Sequence, residues 1–286
     1  MVHIEGWDTS DRTLFEHLTR VLRERASVFE SHGAVLSLDA STIQDGIELY
    51  DDNVLAELRD RGHSIGLHAD VGARREPGLT TESMTETLRA MRQRLVALGV
   101  PPAHVSGICS HVDWVTAAEA AGFEYVSGVV EYCLMSLPEA RRPDGFEGCA
   151  NILDCHRPYP YTTEERLQPM RVRDGATWIE EDADGGVVIA PSFGVVQCLG
   201  ERAAGLEIPA GECVLGADDG EAVVALVEEA LSESTDPRVH VSMVWSLGTP
   251  RDLSAWEAFL EALEPIVRDG RARWMAVDEA IRESGR

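Results

Sequence analysis

The 286-residue chain contains no lysine; its 25 basic residues are all arginine, set against 50 aspartates and glutamates. A net charge of −25 makes a strongly negative field, which argues against nucleic acid or an anionic membrane as partner and leaves a small neutral or cationic ligand open. The absence of lysine points to a compositional pressure rather than to a catalytic feature. No apolar run approaches the roughly 20 residues of a membrane helix, and no signal peptide precedes the first candidate strand, so a soluble, cytoplasmic protein is expected. None of the six cysteines (Cys109, Cys133, Cys149, Cys155, Cys198, Cys213) forms a CxxC pair. In a chain of this size they do not read as a disulfide framework, and free thiols in a reducing compartment are expected. Repeats and low-complexity linkers are also missing, which favours one domain over residues 1–286.

What is present is a rhythm of short apolar runs and amphipathic stretches. Val2 to Glu5 reads as a first strand with His3 and Glu5 on one face. Thr13 to Ser31 reads as a helix, Ala34 to Leu38 as a strand, and Val54 to Leu58 as a short helix stopped by Gly62. Ser64 to Leu67 is a buried strand with His68 at its C-terminal end. Met84, Leu88, Met91, Leu95 and Leu98 form one helical stripe. Val105 to Cys109 is a fourth strand ending in Ser110-His111, followed by a helix and a strand near Phe123 to Ser127. Alternating strands and helices predict a parallel sheet. The proline-rich stretch 131–191 reads as an irregular insertion shaping a cleft, with Trp178-Ile179 and Val187 to Ala190 as two strands around an acidic glycine turn. Glu221 to Leu231, Leu253 to Val267 and Val277 to Arg282 read as helices; Val239 to Trp245 and Arg273 to Met275 read as strands.

Parallel strands bring their C-terminal ends to one rim, so His3 and Glu5, His68, and His111 can meet there. Two imidazoles and a carboxylate are a common catalytic zinc set, with another position left for water. Asp70 could join as a ligand, orient His68 from behind or touch substrate. Trp7 and Trp245, if both face the rim, could stack on a sugar ring or other flat ligand, and Arg157 in the insertion could bind substrate. His63 opens its strand and reads as structural, and His104 as a loop residue.

The wording around these residues resembles a known family. Gly62-His63-Ser64-Ile65-Gly66-Leu67-His68 is similar to the GHEIGxH segment of NodB-type polysaccharide deacetylases, whose last histidine holds a metal. Gly107-Ile108-Cys109-Ser110-His111 resembles the later histidine-bearing strand of a divergent branch. The resemblance is strongest over residues 54–130 and 238–282. It implies an irregular, TIM-like (β/α) barrel and a divalent metal, zinc first, held by Glu5, His68 and His111. His3 or Asp8 would be the base in hydrolysis of a C–N amide bond, an N-acyl group on an amino sugar or related small metabolite.

The chain departs from the family in three places. The usual second histidine, four residues after His68, is Gly72. The paired aspartates of the first strand are replaced by His3-Ile4-Glu5. Trp245 stands where the late histidine acid is expected. Two other readings therefore stay open: a barrel that has lost catalysis and binds a carbohydrate or small molecule, and one that keeps the metal but changes the reaction.

Overall fold

The computed structural model describes residues 1–4, 8–206, 213–234, 239–246 and 253–285. Glu5 and Trp7 lie outside the described residues. The elements run β1 (Val2–Ile4), α1 (Arg12–Ser31), β2 (Ser37–Ala40), α2 (Ile43–Tyr50), α3 (Val54–Asp60), β3 (Ser64–His68), α4 (Thr81–Ala97), β4 (Val105–Ser106), α5 (Trp114–Ala120), β5 (Tyr125–Ser127), α6 (Thr163–Arg166), β6 (Met170–Val172), β7 (Val187–Ala190), α7 (Leu199–Ala203), α8 (Ala217–Glu233), β8 (Trp245–Ser246), α9 (Leu253–Arg268) and α10 (Val277–Ser284). No helix among the described residues is long and apolar enough to cross a membrane.

The strands form one mixed sheet in the order β6-β7-β5-β4-β3-β2-β1-β8, parallel throughout except for β6 against β7. Beyond β7, Phe193 N–H donates to the Ser242 carbonyl, and a parallel bridge pairs Val195 with Val244 on the way into β8. Local chemistry sets the helix starts. Asp11, Asn53 and Asp113 each accept a backbone N–H as N-cap, and Thr80 with Ser83 forms a reciprocal cap on α4. α1 lays Phe15, Leu22, Ala26 and Phe29 on the sheet, and α4 lays Met84, Leu88 and Leu95.

The register separates the two sheet faces. His3, Asp39 and Gly66 are lateral neighbours across β1, β2 and β3, and Ile4, Ala40 and Leu67 are the next row. Lateral neighbours in a parallel sheet point to the same side, so the first row shares one face and the second the other. Ile4, Ala40 and Leu67 belong to the large core under the helices. On the polar row's side a smaller apolar cluster gathers Met1, Val188, Ala190, Val244, Val277 and Ile281. α10 is pinned there: Val277 N–H donates to Ser37 Oγ, and Ser64 Oγ donates to Asp278.

Several expectations need correction. α2, over Ile43–Tyr50, is a helix that the sequence reading does not include. Gly46 is present because a Cβ there would lie 2.3 Å from the Phe15 ring, so the helix is selected by packing rather than propensity. Trp178-Ile179 lies in a turn, with Trp178 fully buried against Trp114 and Tyr159; the antiparallel partner of β7 is Met170–Val172. Arg273 to Met275 pairs with no strand among the described residues. The fourth strand stops at Ser106, because Gly107 takes a left-handed conformation at φ +67°.

The free-thiol expectation is also overturned. All six cysteines pair, as Cys109–Cys133, Cys149–Cys155 and Cys198–Cys213. The first two staple the exit of β4 and the 131–158 segment, loops that the sequence alone does not bring together.

Candidate metal centre

One donor atom each from His3, Asp39 and His68 lies within 4.8 Å of the others. The sheet places them. His3 and Asp39 are paired across β1 and β2, and His68 closes β3 opposite Ser106 of β4. The His3 and His68 rings stack with centroids 4.1 Å apart. His3 is half-buried, His68 nearly so completely, and Asp39 is fully buried.

Asp39 is the electrostatic centre of the group. Its Oδ1 accepts from His104 Nε2 at 2.6 Å, and its Oδ2 accepts from Ser106 Oγ at 2.5 Å and faces His3 Nε2 at 3.6 Å. Burial alone would push this carboxyl up. The adjacent His104, then His3 and Ser106, outweigh that and hold it well below the usual carboxylate range. Asp39 is therefore a fixed anion. Gly66 makes room for the pair: a Cβ there would lie 2.3 Å from His104 Nε2 and 2.7 Å from Asp39 Oδ1. Gly66→Ala is expected to break this pair and lower the melting temperature by about 5–10 °C, given roughly 2–3 kcal/mol for a lost buried charged contact. An unchanged melting curve would mean that the pair is not held as described.

The proton count on Ser106 fixes the state of His68. The single hydroxyl proton goes to Asp39, an obligate acceptor when ionised, so Ser106 Oγ accepts from His68 Nδ1 at 2.9 Å. His68 Nε2 then faces Asp70 Oδ1 at 3.1 Å. A neutral ring would bring a lone pair against a carboxylate oxygen, which demands a proton or a metal cation between them. Burial pushes the Asp70 carboxyl up, but its bond to His68 and the charges of His68, His3 and His156 bring it below the usual range. Asp70 itself holds a left-handed backbone at φ 52°, and half of its side chain stays exposed.

This donor set fits a divalent metal. Two donors bound at about 2.0–2.2 Å to a tetrahedral ion stand roughly 3.3 Å apart, and the separations here are 3.6 Å for His3–Asp39 and 3.1 Å for His68–Asp70. His104 and Ser106 stand behind Asp39 and His68 as supporting hydrogen-bond partners do behind metal ligands. The depressed Asp39 and Asp70 carboxyls contribute stability that is fully present above the unfolded carboxylate range, near pH 4, and is lost as pH falls below that range toward their lowered folded values. Chemical denaturation at pH 6 and pH 3 is expected to show a smaller loss in Asp39→Asn than in the parent chain; equal losses would contradict the assignment.

The structure places the other sequence candidates differently. His111 falls past the turn at Gly107 and is outside the donor group among the described residues; burial and the nearby Arg75 lower its pKa. Asp8 is exposed and bound to its own neighbour, accepting from Ser10 N–H and Oγ, and is not part of the donor group among the described residues. Trp245 is core rather than rim, buried against Phe29, Trp256 and Phe259. Arg157 is exposed, paired with Glu131 at 3.2 Å and laid over the Tyr161 ring. Glu5 and Trp7 are outside the described residues. His63 is held by structure, accepting from Leu36 N–H and meeting Glu30 of α1 at 2.9 Å.

Two residues of the group were not legible as such. Asp39 follows the second apolar run directly, the same position His68 has after the third, and that parallel is the available signal. His104 sits one residue before an apolar strand with no signal of its own.

A cavity of about 660 Å³ lies elsewhere, lined by Leu36, Met243, Trp245, Phe259, Trp274 and Ile281 among others. None of the donor group lines it, so it carries no part of the metal-centre argument.

No protein-family model matches the sequence, and no curated protein matches it by sequence. Solved structures do match in fold. A 4-alpha-glucanotransferase from Thermococcus litoralis is 15% identical with a TM-score of 0.57, covering 99% of this chain and 39% of the glucanotransferase. The present chain thus spans well under half the length of that protein. The PuuE allantoinase is 14% identical with a TM-score of 0.50, covering 93% and 73% of the two chains. A Mycobacterium smegmatis protein provisionally assigned as a polysaccharide deacetylase is 14% identical with a TM-score of 0.49, covering 93% and 78%.

Proposed function

We propose that the chain is a divalent-metal-dependent hydrolase of C–N amide bonds, acting on the N-acyl group of an amino sugar or related small metabolite. The observation that carries this reading is the His3–Asp39–His68 group, with Asp70 at its solvent side, on adjacent parallel strands. Fold likeness to an allantoinase supports it at the level of scaffold. The scaffold is read as an irregular (β/α) barrel, one domain over residues 1–286 with the insertion at 131–191.

His3, Asp39 and His68 would hold the metal, zinc first, since imidazole and carboxylate suit it. When bound, such an ion polarises an acyl carbonyl and makes water a nucleophile near neutral pH. Asp39 supplies a buried, permanent negative charge that His104 and Ser106 keep in place. His68 is fixed in ring orientation by Ser106. Asp70 is ionised and half exposed, so it is the carboxylate of the group that can exchange a proton with solvent. His3 is read here as a ligand rather than as the base.

The test is release of carboxylic acid from a panel of N-acetylated amino sugars and N-acylated small metabolites, with zinc, cobalt or nickel added. Turnover that depends on metal and falls by at least about 100-fold in His68→Gln, the scale set by loss of a metal site, is the expected result. Turnover unaffected by chelation would overturn the metal dependence.

A further inference from the structure

The cavity of about 660 Å³ takes no part in the metal centre, and the chemistry of its walls defines what would fill it. Protein interiors leave few voids larger than a water molecule, whereas small-molecule sites span about 300–1,000 Å³. Three helices each turn an apolar pair into the cavity: Val223 and Val227 of α8, Leu263 and Val267 of α9, Val277 and Ile281 of α10. Each pair has i, i+4 spacing and so belongs to one side of its helix. The wall reaches the surface at Gly270, Arg271 and Glu283, all exposed, so the cavity opens to solvent between the end of α9 and α10.

The cations of the wall differ in their partners. Arg271 is paired with Glu228, and Arg273 with Glu283. Arg166 is half-buried, and its Nε and Nη2 donate to the Pro160 and Tyr161 carbonyls. It makes no ion pair among the described residues. Burial pushes its pKa down; the Arg157 charge adds to this and Glu165 opposes it. The Arg166 guanidinium lies over the Phe193 ring at 5.4 Å, and Phe193 N–H donates to the Ser242 carbonyl at 2.8 Å. Ser242 lines the same cavity, and its buried hydroxyl has no hydrogen-bond partner among the described residues. These contacts bring Arg166 and Ser242 to one part of the wall, where both offer hydrogen-bond donors. Apolar walls beside a guanidinium that lacks a counter-ion suit an apolar chain ending in an anion. In a protein of net charge −25 the general field repels anions, so such a ligand needs this local cation.

We propose that the cavity binds a medium-chain fatty acid, with the alkyl chain among α8, α9 and α10 and the carboxylate on Arg166 and Ser242. A cavity of about 150 Å³ takes a six-carbon ring, so the space here admits a chain of roughly 8–12 carbons. The site stands apart from the hydrolase reading, because none of the metal-donor group lines it.

The test is titration calorimetry of the full chain with octanoate, 1-octanol and propionate at low salt. The parent is expected to bind octanoate about tenfold more tightly than octanol, the scale of one charge-assisted hydrogen bond. Propionate lacks five of the methylenes, each worth about fourfold, and is expected to bind roughly 1,000-fold more weakly. Arg166→Gln is expected to bring octanoate down to the octanol level. Val223→Phe, which fills the space from α8, is expected to weaken both eight-carbon ligands by about tenfold or more. The two variants are independent, so either decides the matter if the other fails to fold. His68→Gln is expected to bind octanoate like the parent, which separates the cavity from carboxylate capture at the metal centre. No binding of octanoate, equal binding of octanoate and octanol by the parent, unchanged binding in Val223→Phe, a preference that survives Arg166→Gln, or binding lost in His68→Gln would overturn the proposal.

Discussion

Asp39→Ala is expected to abolish metal binding and to cost about 3–5 kcal/mol of stability, the range for removing one partner from a buried charged group. Two donors lose their acceptor at once: His104 Nε2, 2.6 Å away, and Ser106 Oγ, 2.5 Å away, all in a fully buried setting. The His3 and His68 rings, with centroids 4.1 Å apart, also lose the anion grouped with them. For a chain of this size, that loss lowers the melting temperature by roughly 10 °C. Asp39→Asn separates the two consequences. It keeps the volume and one acceptor oxygen, so the fold is expected to hold better, but it removes the charge a metal requires. A stable Asp39→Asn that binds metal like the parent would show that Asp39 serves structure alone.

Reduction of the disulfides is the second large effect. Each crosslink is expected to contribute roughly 2–4 kcal/mol by the chain-entropy account, more for a longer closed loop. Cys109–Cys133 closes the longest, at a separation of 24 residues, followed by Cys198–Cys213 at 15 and Cys149–Cys155 at 6. Thermal melts with and without a phosphine reductant are expected to differ by well over about 10 °C in total. Intact mass after alkylation without reductant is expected to show no modified thiol. Six alkylated cysteines in the native chain and an unchanged melt would restore the free-thiol reading. Three pairings also shift the expected compartment, since disulfides persist where the environment is oxidising.

Local patterns carry the features that are legible in the sequence. His68 was visible because it closes an apolar run between two helical stretches. The stripes of α1, α4 and α9 were visible because burial of one helical face repeats every three to four residues. Asp39 was hidden by composition: one carboxylate among 50 acidic residues has no distinguishing neighbour in the chain, and its partners His3 and Gly66 are lateral ones across the sheet. The sequence reading runs the fourth strand to Cys109 and ends it in Ser110-His111, whereas the strand stops at Ser106 and the backbone turns left-handed at Gly107. Trp245 occupies the expected late-strand position but turns into the aromatic cluster with Phe29 and Trp256, so its size was spent on the core. The cysteines gave no pairing signal because their partners meet only once the loops beyond β4 fold back.

Elemental analysis of the purified chain beside His3→Gln, His68→Gln and His111→Gln tests the metal centre most directly. Close to one divalent metal per chain is expected in the parent and in His111→Gln, and little or none in His3→Gln and His68→Gln. Metal that disappears with His111 but survives loss of His3, or a parent that takes up no zinc, cobalt or nickel, would contradict it.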